Sequence, residues 1–232
     1  MGKLGVIGGM GPMATQLLYK TIIEKTYAKC DQDHIDMIIL SHASIPDRTE
    51  AIKSGNTENV FSALLADAYM LEEYGADAIA IPCNTSHYFW EKLQKEVKIP
   101  IVNMVSETVK RIKENNPETK KVGLLATDGT VYTGIYKTEC EKAGIECQNP
   151  TEQIQKIVMD IIYNQIKVGQ KGNIEDFLKI DKFLKESGCE AAILACTELS
   201  CFRENHSLDG FYVDALDILA EEALKKCNAR LR

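Results

Sequence analysis

Three things are missing from this 232-residue chain. It has no apolar run approaching the roughly 20 residues of a membrane span. It has no excess of positive charge: 27 lysines and arginines stand against 34 aspartates and glutamates, for a net charge of −7, and no basic run forms a patch. That balance argues against general nucleic-acid binding, which draws on neutralising phosphates. Its eight cysteines lack the dense spacing of a disulfide scaffold, which fits a reduced cytoplasm. A strand pattern begins almost at the first residue with no signal-peptide pattern ahead of it, so a cytoplasmic location is expected. What is present is 45% hydrophobic residues, enough for a substantial core in one large domain or two small ones.

Short apolar stretches alternate with longer amphipathic ones. Strands are expected at 3–8, 36–40, 76–81, 100–102, 121–126, near Glu146, at 191–195 and at 211–213. Helices are expected at 12–29, 57–74, after Asn84, at 107–113, after Asp128, and at 152–168, 174–187 and 215–227, the last capped by Asp214. This alternation predicts an α/β protein with parallel sheets. Ligands of such sheets bind beyond the carboxyl ends of the strands.

The chain centres on Ile81-Pro82-Cys83-Asn84-Thr85-Ser86-His87, which follows an apolar strand and opens a helix. Backbone N–H groups converge at such a junction and favour negative charge. Cys83 is therefore a candidate thiolate, with a pKa below the ordinary cysteine value. The stretch has an echo in Gly188-Cys189-Glu190-Ala191-Ala192-Ile193-Leu194-Ala195-Cys196-Thr197-Glu198. A second echo joins Lys3–Gly11 to Lys121–Gly129. Two similar units, each with one strand-end cysteine, predict two lobes related by pseudo-two-fold symmetry, with the active site in the cleft between them.

Four motifs carry a family resemblance: Gly8-Gly9-Met10-Gly11-Pro12, Ser44-Ile45-Pro46-Asp47-Arg48-Thr49, Pro82-Cys83-Asn84-Thr85 and Cys196-Thr197-Glu198. In this order they resemble the aspartate/glutamate racemase family, and within it the aspartate racemase branch. One departure is Ala195, where the family usually has glycine. The resemblance implies a first lobe of residues 1–104, joined by a closing helix at 209–232, and a second lobe of 105–208. It also implies cofactor-independent catalysis by Cys83 and Cys196, and a homodimer. Substrate contacts are expected from Met10, Arg48, Asn84, Thr85, Thr127, Thr130, Lys167, Thr197 and Glu198.

Each of these residues also has a plainer reading. Gly9-x-Gly11-x-x-Ala14 matches a dinucleotide fingerprint formally, but the next strand ends in Leu40-Ser41-His42 and not in the acid that grips a ribose. A tight turn is the simpler account. Cys83 with His87, and Cys196 with Cys201, offer four zinc donors, yet lack close C-x-x-C pairing, so no metal is expected. Arginines are usually solvated, whereas a functional Arg48 would grip a carboxylate through two hydrogen bonds. Lys167 alone reads as a helix-surface charge, with Lys156 and Lys171 nearby. The threonines and Asn84 can cap helices as well as hold a ligand. Glu198 either orients or deprotonates a neighbour, or simply sits in a helix turn.

Racemisation needs a base on one face of Cα and an acid on the other. Nothing in the chain suggests a pyridoxal lysine. Two cations, Arg48 and Lys167, suit a ligand with two carboxylates, aspartate or glutamate. The alternatives are a racemase of broader specificity, a dicarboxylate isomerase or decarboxylase on the same fold, and a non-catalytic binder of a small acidic metabolite.

Overall fold

A computed structural model describes residues 1–232. Two parallel sheets organise it. The first contains β1 (Lys3–Gly8), β2 (Asp36–Ser41) and β3 (Ala78–Ala80) in the order β2-β1-β3. The second contains β4 (Lys121–Ala126), β5 (Glu146–Gln148), β6 (Ala191–Ala195) and β7 (Tyr212–Asp214) in the order β5-β4-β6-β7. β1, β4 and β6 each have a neighbour on both sides and are buried at all but the first residue. Strands covered on both faces read as unbroken apolar runs, which is why their bounds are plain in the sequence.

Each sheet is flanked by helices. In the first unit these include Pro12–Lys25, Glu58–Glu73 and Trp90–Glu96. In the second they include Met104–Asn115, Ile135–Lys142 and Ile174–Glu186. A glycine in each central strand lets one helix come close. A Cβ on Gly5 would lie 2.9 Å from Leu71, and one on Gly123 would lie 2.3 Å from Leu184. The closeness repeats between the units as the sheet order does.

The chain divides into residues 1–104 with 216–232, and residues 105–215. Residues 209–215 stay with the second unit because β7 pairs with β6 there. The closing helix Ala215–Lys226 and the tail bind the first unit: Glu221 lies 3.0 Å from Lys25, and Gly2 N–H donates to the Cys227 carbonyl. In the second unit, Asp214 accepts from the Ser200 hydroxyl at 2.7 Å.

Several expected elements differ, three of them most. Residues 100–102 form a single bridge, Ile101 to Ile79, and not a strand. The first helix stops at Lys25, where Thr26 turns into extended backbone. The 152–168 helix is α-helical over Glu152–Asp160 and then widens into a π-helix over Ile161–Ile166. Such wide turns are rare and recur near functional residues. No helix is long and apolar enough to cross a membrane.

Candidate active site

In the first unit the site residues gather beyond the ends of β1 and β3. Cys83 follows β3 through Ile81 and Pro82, and its N–H donates to the Ile81 carbonyl at 2.7 Å. The expected helix begins as a 3-10 turn, Thr85–Phe89, before Trp90. Asn84 has helical backbone angles and its side chain makes no capping bond. Asn84, Thr85 and Ser86 are all buried. Ser86 Oγ donates to Met10 Sδ at 3.4 Å, which ties the β1 turn to the Cys83 segment.

His87 fixes this segment. Its Nδ1 donates to the Cys83 carbonyl at 2.9 Å, and its Nε2 accepts from Met104 N–H at 3.1 Å. Burial holds its pKa below the ordinary histidine value, so the ring stays neutral. Both nitrogens are committed to backbone, and no three His, Cys, Asp or Glu side chains are grouped to hold a metal ion.

The turn after β1 is shaped by Gly9, at φ +90°. A Cβ there would lie 2.5 Å from the His42 backbone. Thr15 Oγ1 accepts from Gly9 N–H at 2.9 Å and donates to the Gly11 carbonyl at 3.1 Å. The Met10–Gly11 peptide is cis. Arg48 opens the short helix Arg48–Ser54, with Asp47 as its N-cap. Its side chain is buried, and Nη1 donates to the carbonyls of Ile45 and Pro46 at 3.2 and 3.1 Å. The same loop is pinned by His42, whose Nδ1 lies 2.9 Å from the buried Asp67 carboxylate.

In the second unit, Cys196 follows β6 and precedes the helix Thr197–Asn205. Its thiol donates to Glu198 Oε2 at 3.0 Å. The other carboxylate oxygen lies 3.2 Å from Lys167 Nζ, and that ammonium stands 5.0 Å from the centre of the Tyr163 ring. Burial and then the Glu198 charge push the Cys196 pKa well above the ordinary value, with only Lys167 and a backbone bond opposing. Burial and the adjacent Glu198 carboxylate thus favour the thiol form of Cys196. Burial pulls Lys167 down, but Glu198, Cys196 and Tyr163 more than offset this and raise it.

Thr127 caps the helix Asp128–Thr133 by accepting from Thr130 N–H, and the two hydroxyls lie 3.3 Å apart. Thr197 is buried beside Cys196. A cavity of about 550 Å³ in the same unit is lined by Asp128, Gln155, Met159, Asp160 and Tyr163 among others, and by none of the expected site residues. Tyr163 was not anticipated from sequence. Its spacing of four from Lys167 was the available signal, but the intervening π-helix sets where the two side chains go.

Each unit thus holds its own group of the expected residues. Met10, Arg48, Cys83, Asn84 and Thr85 belong to the first; Thr127, Thr130, Lys167, Cys196, Thr197 and Glu198 belong to the second. A sequence model of the Asp/Glu/hydantoin racemase family matches residues 7–223. The chain belongs to this family.

Within the Asp/Glu/hydantoin racemases it is similar over nearly its whole length to several proteins. It is 27% identical to the broad specificity amino-acid racemase RacX of Bacillus subtilis (strain 168), over 95% of this chain and 96% of that protein. The Picrophilus torridus aspartate racemase matches with a TM-score of 0.83 and 29% identity, over 100% of this chain and 96% of that one. An aspartate racemase homologue from Pyrococcus horikoshii OT3 matches with a TM-score of 0.76 and 26% identity, over 98% and 100%. The racemase fold of two parallel sheets flanked by helices is common to them.

Proposed function

We propose that the protein racemises an acidic α-amino acid, aspartate first, without a cofactor, and that Cys83 and Cys196 serve one substrate. One observation carries the reading. Both units place a buried cysteine just beyond the strand beside their central strand, followed by a buried threonine within two residues. A single-base enzyme has no use for that repetition. A two-base enzyme needs it, since one thiolate must take the Cα proton and one thiol must return a proton on the opposite face.

The neighbours of Cys196 support a starting state for this reading. Burial and Glu198 oppose its ionisation, so in this reading it begins as the proton donor. Glu198 accepts the Cys196 proton when the direction reverses, and Lys167 steadies the carboxylate. Asn84, Thr85, Thr127, Thr130 and Thr197 supply donors for the α-carboxylate and acceptors for the α-amino group. Donors aimed at the charge that spreads onto the carboxylate lower the barrier, each by about 3 kcal/mol in a dry site. Arg48 and Lys167 supply the cations for a dicarboxylic substrate. Met10 lines the same end of the first sheet.

The match to RacX along nearly the whole chain favours a second reading, a racemase of broader range. One experiment separates these. Purified, reduced protein is incubated in heavy water with L-aspartate, L-glutamate and several neutral amino acids, without added cofactor. Deuterium uptake at Cα and the D-enantiomer are followed by NMR and chiral chromatography. Exchange with inversion confined to the acidic substrates supports the first reading; exchange with neutral ones supports the second. No exchange with any amino acid removes both.

A further inference from the structure

Two cysteines outside the proposed site form a pair of their own. Cys140 lies in the last turns of the Ile135–Lys142 helix and is fully buried. Cys147 lies on β5, the edge strand of the second sheet, and is half-buried. A tight reversal joins them. Ala143 N–H and Ile145 N–H both donate to the Cys140 carbonyl, and Gly144 takes φ +67° between them. Each thiol is near enough to shift the other's ionisation, Cys140 upward and Cys147 downward. Both side chains pack in one apolar cluster with Ile145 and Val122.

We propose that Cys140 and Cys147 are a redox-active thiol pair that closes to an intramolecular disulfide on meeting a low-molecular-weight disulfide. Cys147 is the attacking thiol, because it is the one open to solvent. The neighbouring Cys140 and the Lys137 ammonium favour its thiolate against burial, whereas Cys140 is held as the thiol. The Cys147 thiolate attacks one sulfur of the reagent disulfide, forming a mixed disulfide and releasing one reagent thiolate. Cys140 then loses its proton to solvent and attacks the Cys147 sulfur, releasing the second reagent thiolate. The protein loses two hydrogens and two electrons, and one reagent disulfide becomes two thiols. The reaction ties β5 to the helix before it.

The pair is remote from the proposed chemistry. Cys147 pairs with Val122, four residues before the end of β4, which at ~3.3 Å per residue is about 13 Å from the strand end that carries Thr127. Closure therefore does not depend on the racemase reading.

The test is mass spectrometry on the reduced full-length protein treated with oxidised glutathione. Remaining thiols are alkylated at low pH and the protein is digested with trypsin without reduction. The expected product joins peptide 138–142 to peptide 143–156 through a disulfide. Cys30, exposed and solitary, provides the comparison and carries glutathione only as a mixed disulfide. Cys140→Ser is expected to trap glutathione on Cys147, and Cys147→Ser to leave Cys140 reduced. Both thiols recovered alkylated while Cys30 is glutathionylated would overturn the proposal. So would a stable Cys147–glutathione adduct in the unaltered protein, or a Cys147–Cys189 link.

Discussion

The thiol of Cys196 donates to Glu198 Oε2 at 3.0 Å, and the same carboxylate holds Lys167 at 3.2 Å. Cys196 is thus paired with a charge of the sign that opposes its ionisation. Glu198→Gln keeps the shape and removes the charge. The pH midpoint for alkylation of Cys196 is expected to move down in that variant and up in Lys167→Met. If Glu198 also receives the thiol proton during turnover, Glu198→Gln lowers kcat/KM by about 10²- to 10⁴-fold. An unmoved alkylation midpoint would show that burial alone controls this cysteine.

His87 binds the Cys83 carbonyl through Nδ1 and Met104 N–H through Nε2. Its folded pKa lies below the ordinary 6.5 because of burial. The unfolded chain therefore takes up a proton, as pH falls through 6.5, that the folded chain refuses. The sign follows: this stabilising contribution is full above pH 6.5 and declines below it, with a slope of at most about 1.4 kcal/mol per pH unit. Urea unfolding between pH 7.5 and 5.5 should show that decline. His87→Gln should be less stable at pH 7.5 and show a shallower decline. Parallel curves for the two proteins would assign the pH dependence elsewhere.

How far the sequence carries depends on which forces fix an element. β1, β4 and β6 keep their expected bounds of Lys3–Gly8, Lys121–Ala126 and Ala191–Ala195. Burial on both faces leaves an apolar run with turn residues at either end. Cys83 and Cys196 stood out because their contexts repeat. What depends on tertiary placement was not legible. The π-helix before Lys167 has the same apolar residues that an α-helix would have. Spacing two residues from Cys196 did not say whether Glu198 would turn toward the thiol, as it does. The His42–Asp67 pair joins residues on different elements, with no local pattern to announce it.

Gly9 and Gly75 allow a controlled comparison. Both have positive φ, +90° and +79°. A Cβ on Gly9 meets the His42 and Ala43 backbone within 2.6 Å, whereas one on Gly75 meets nothing within 4 Å. Gly75→Ala is expected to cost about 1 kcal/mol, from the backbone angle alone. Gly9→Ala adds a collision with backbone that has no free rotation to escape, and is expected to cost at least about 3 kcal/mol. Chemical denaturation of the two variants measures the difference. Equal losses would mean that the loop after β2 yields freely.

Arg48 is the sharpest test of substrate choice. Its guanidinium is buried and aimed by two bonds from Nη1 to the carbonyls of Ile45 and Pro46. A cation held this way recognises a carboxylate as a fork, and hydrogen bonds to charged groups contribute about 1.5–3 kcal/mol. Arg48→Ala is therefore expected to raise KM for aspartate about 10- to 100-fold and to change KM for alanine little, if alanine is turned over at all. Arg48→Lys keeps the charge without the planar fork, so its aspartate KM should fall between those of the other two proteins. Equal loss on both substrates would point to a collapsed loop, since the same side chain braces residues 45 and 46. Unchanged KM for aspartate would remove Arg48 from the site and leave Lys167 as the cation that selects the acidic substrate.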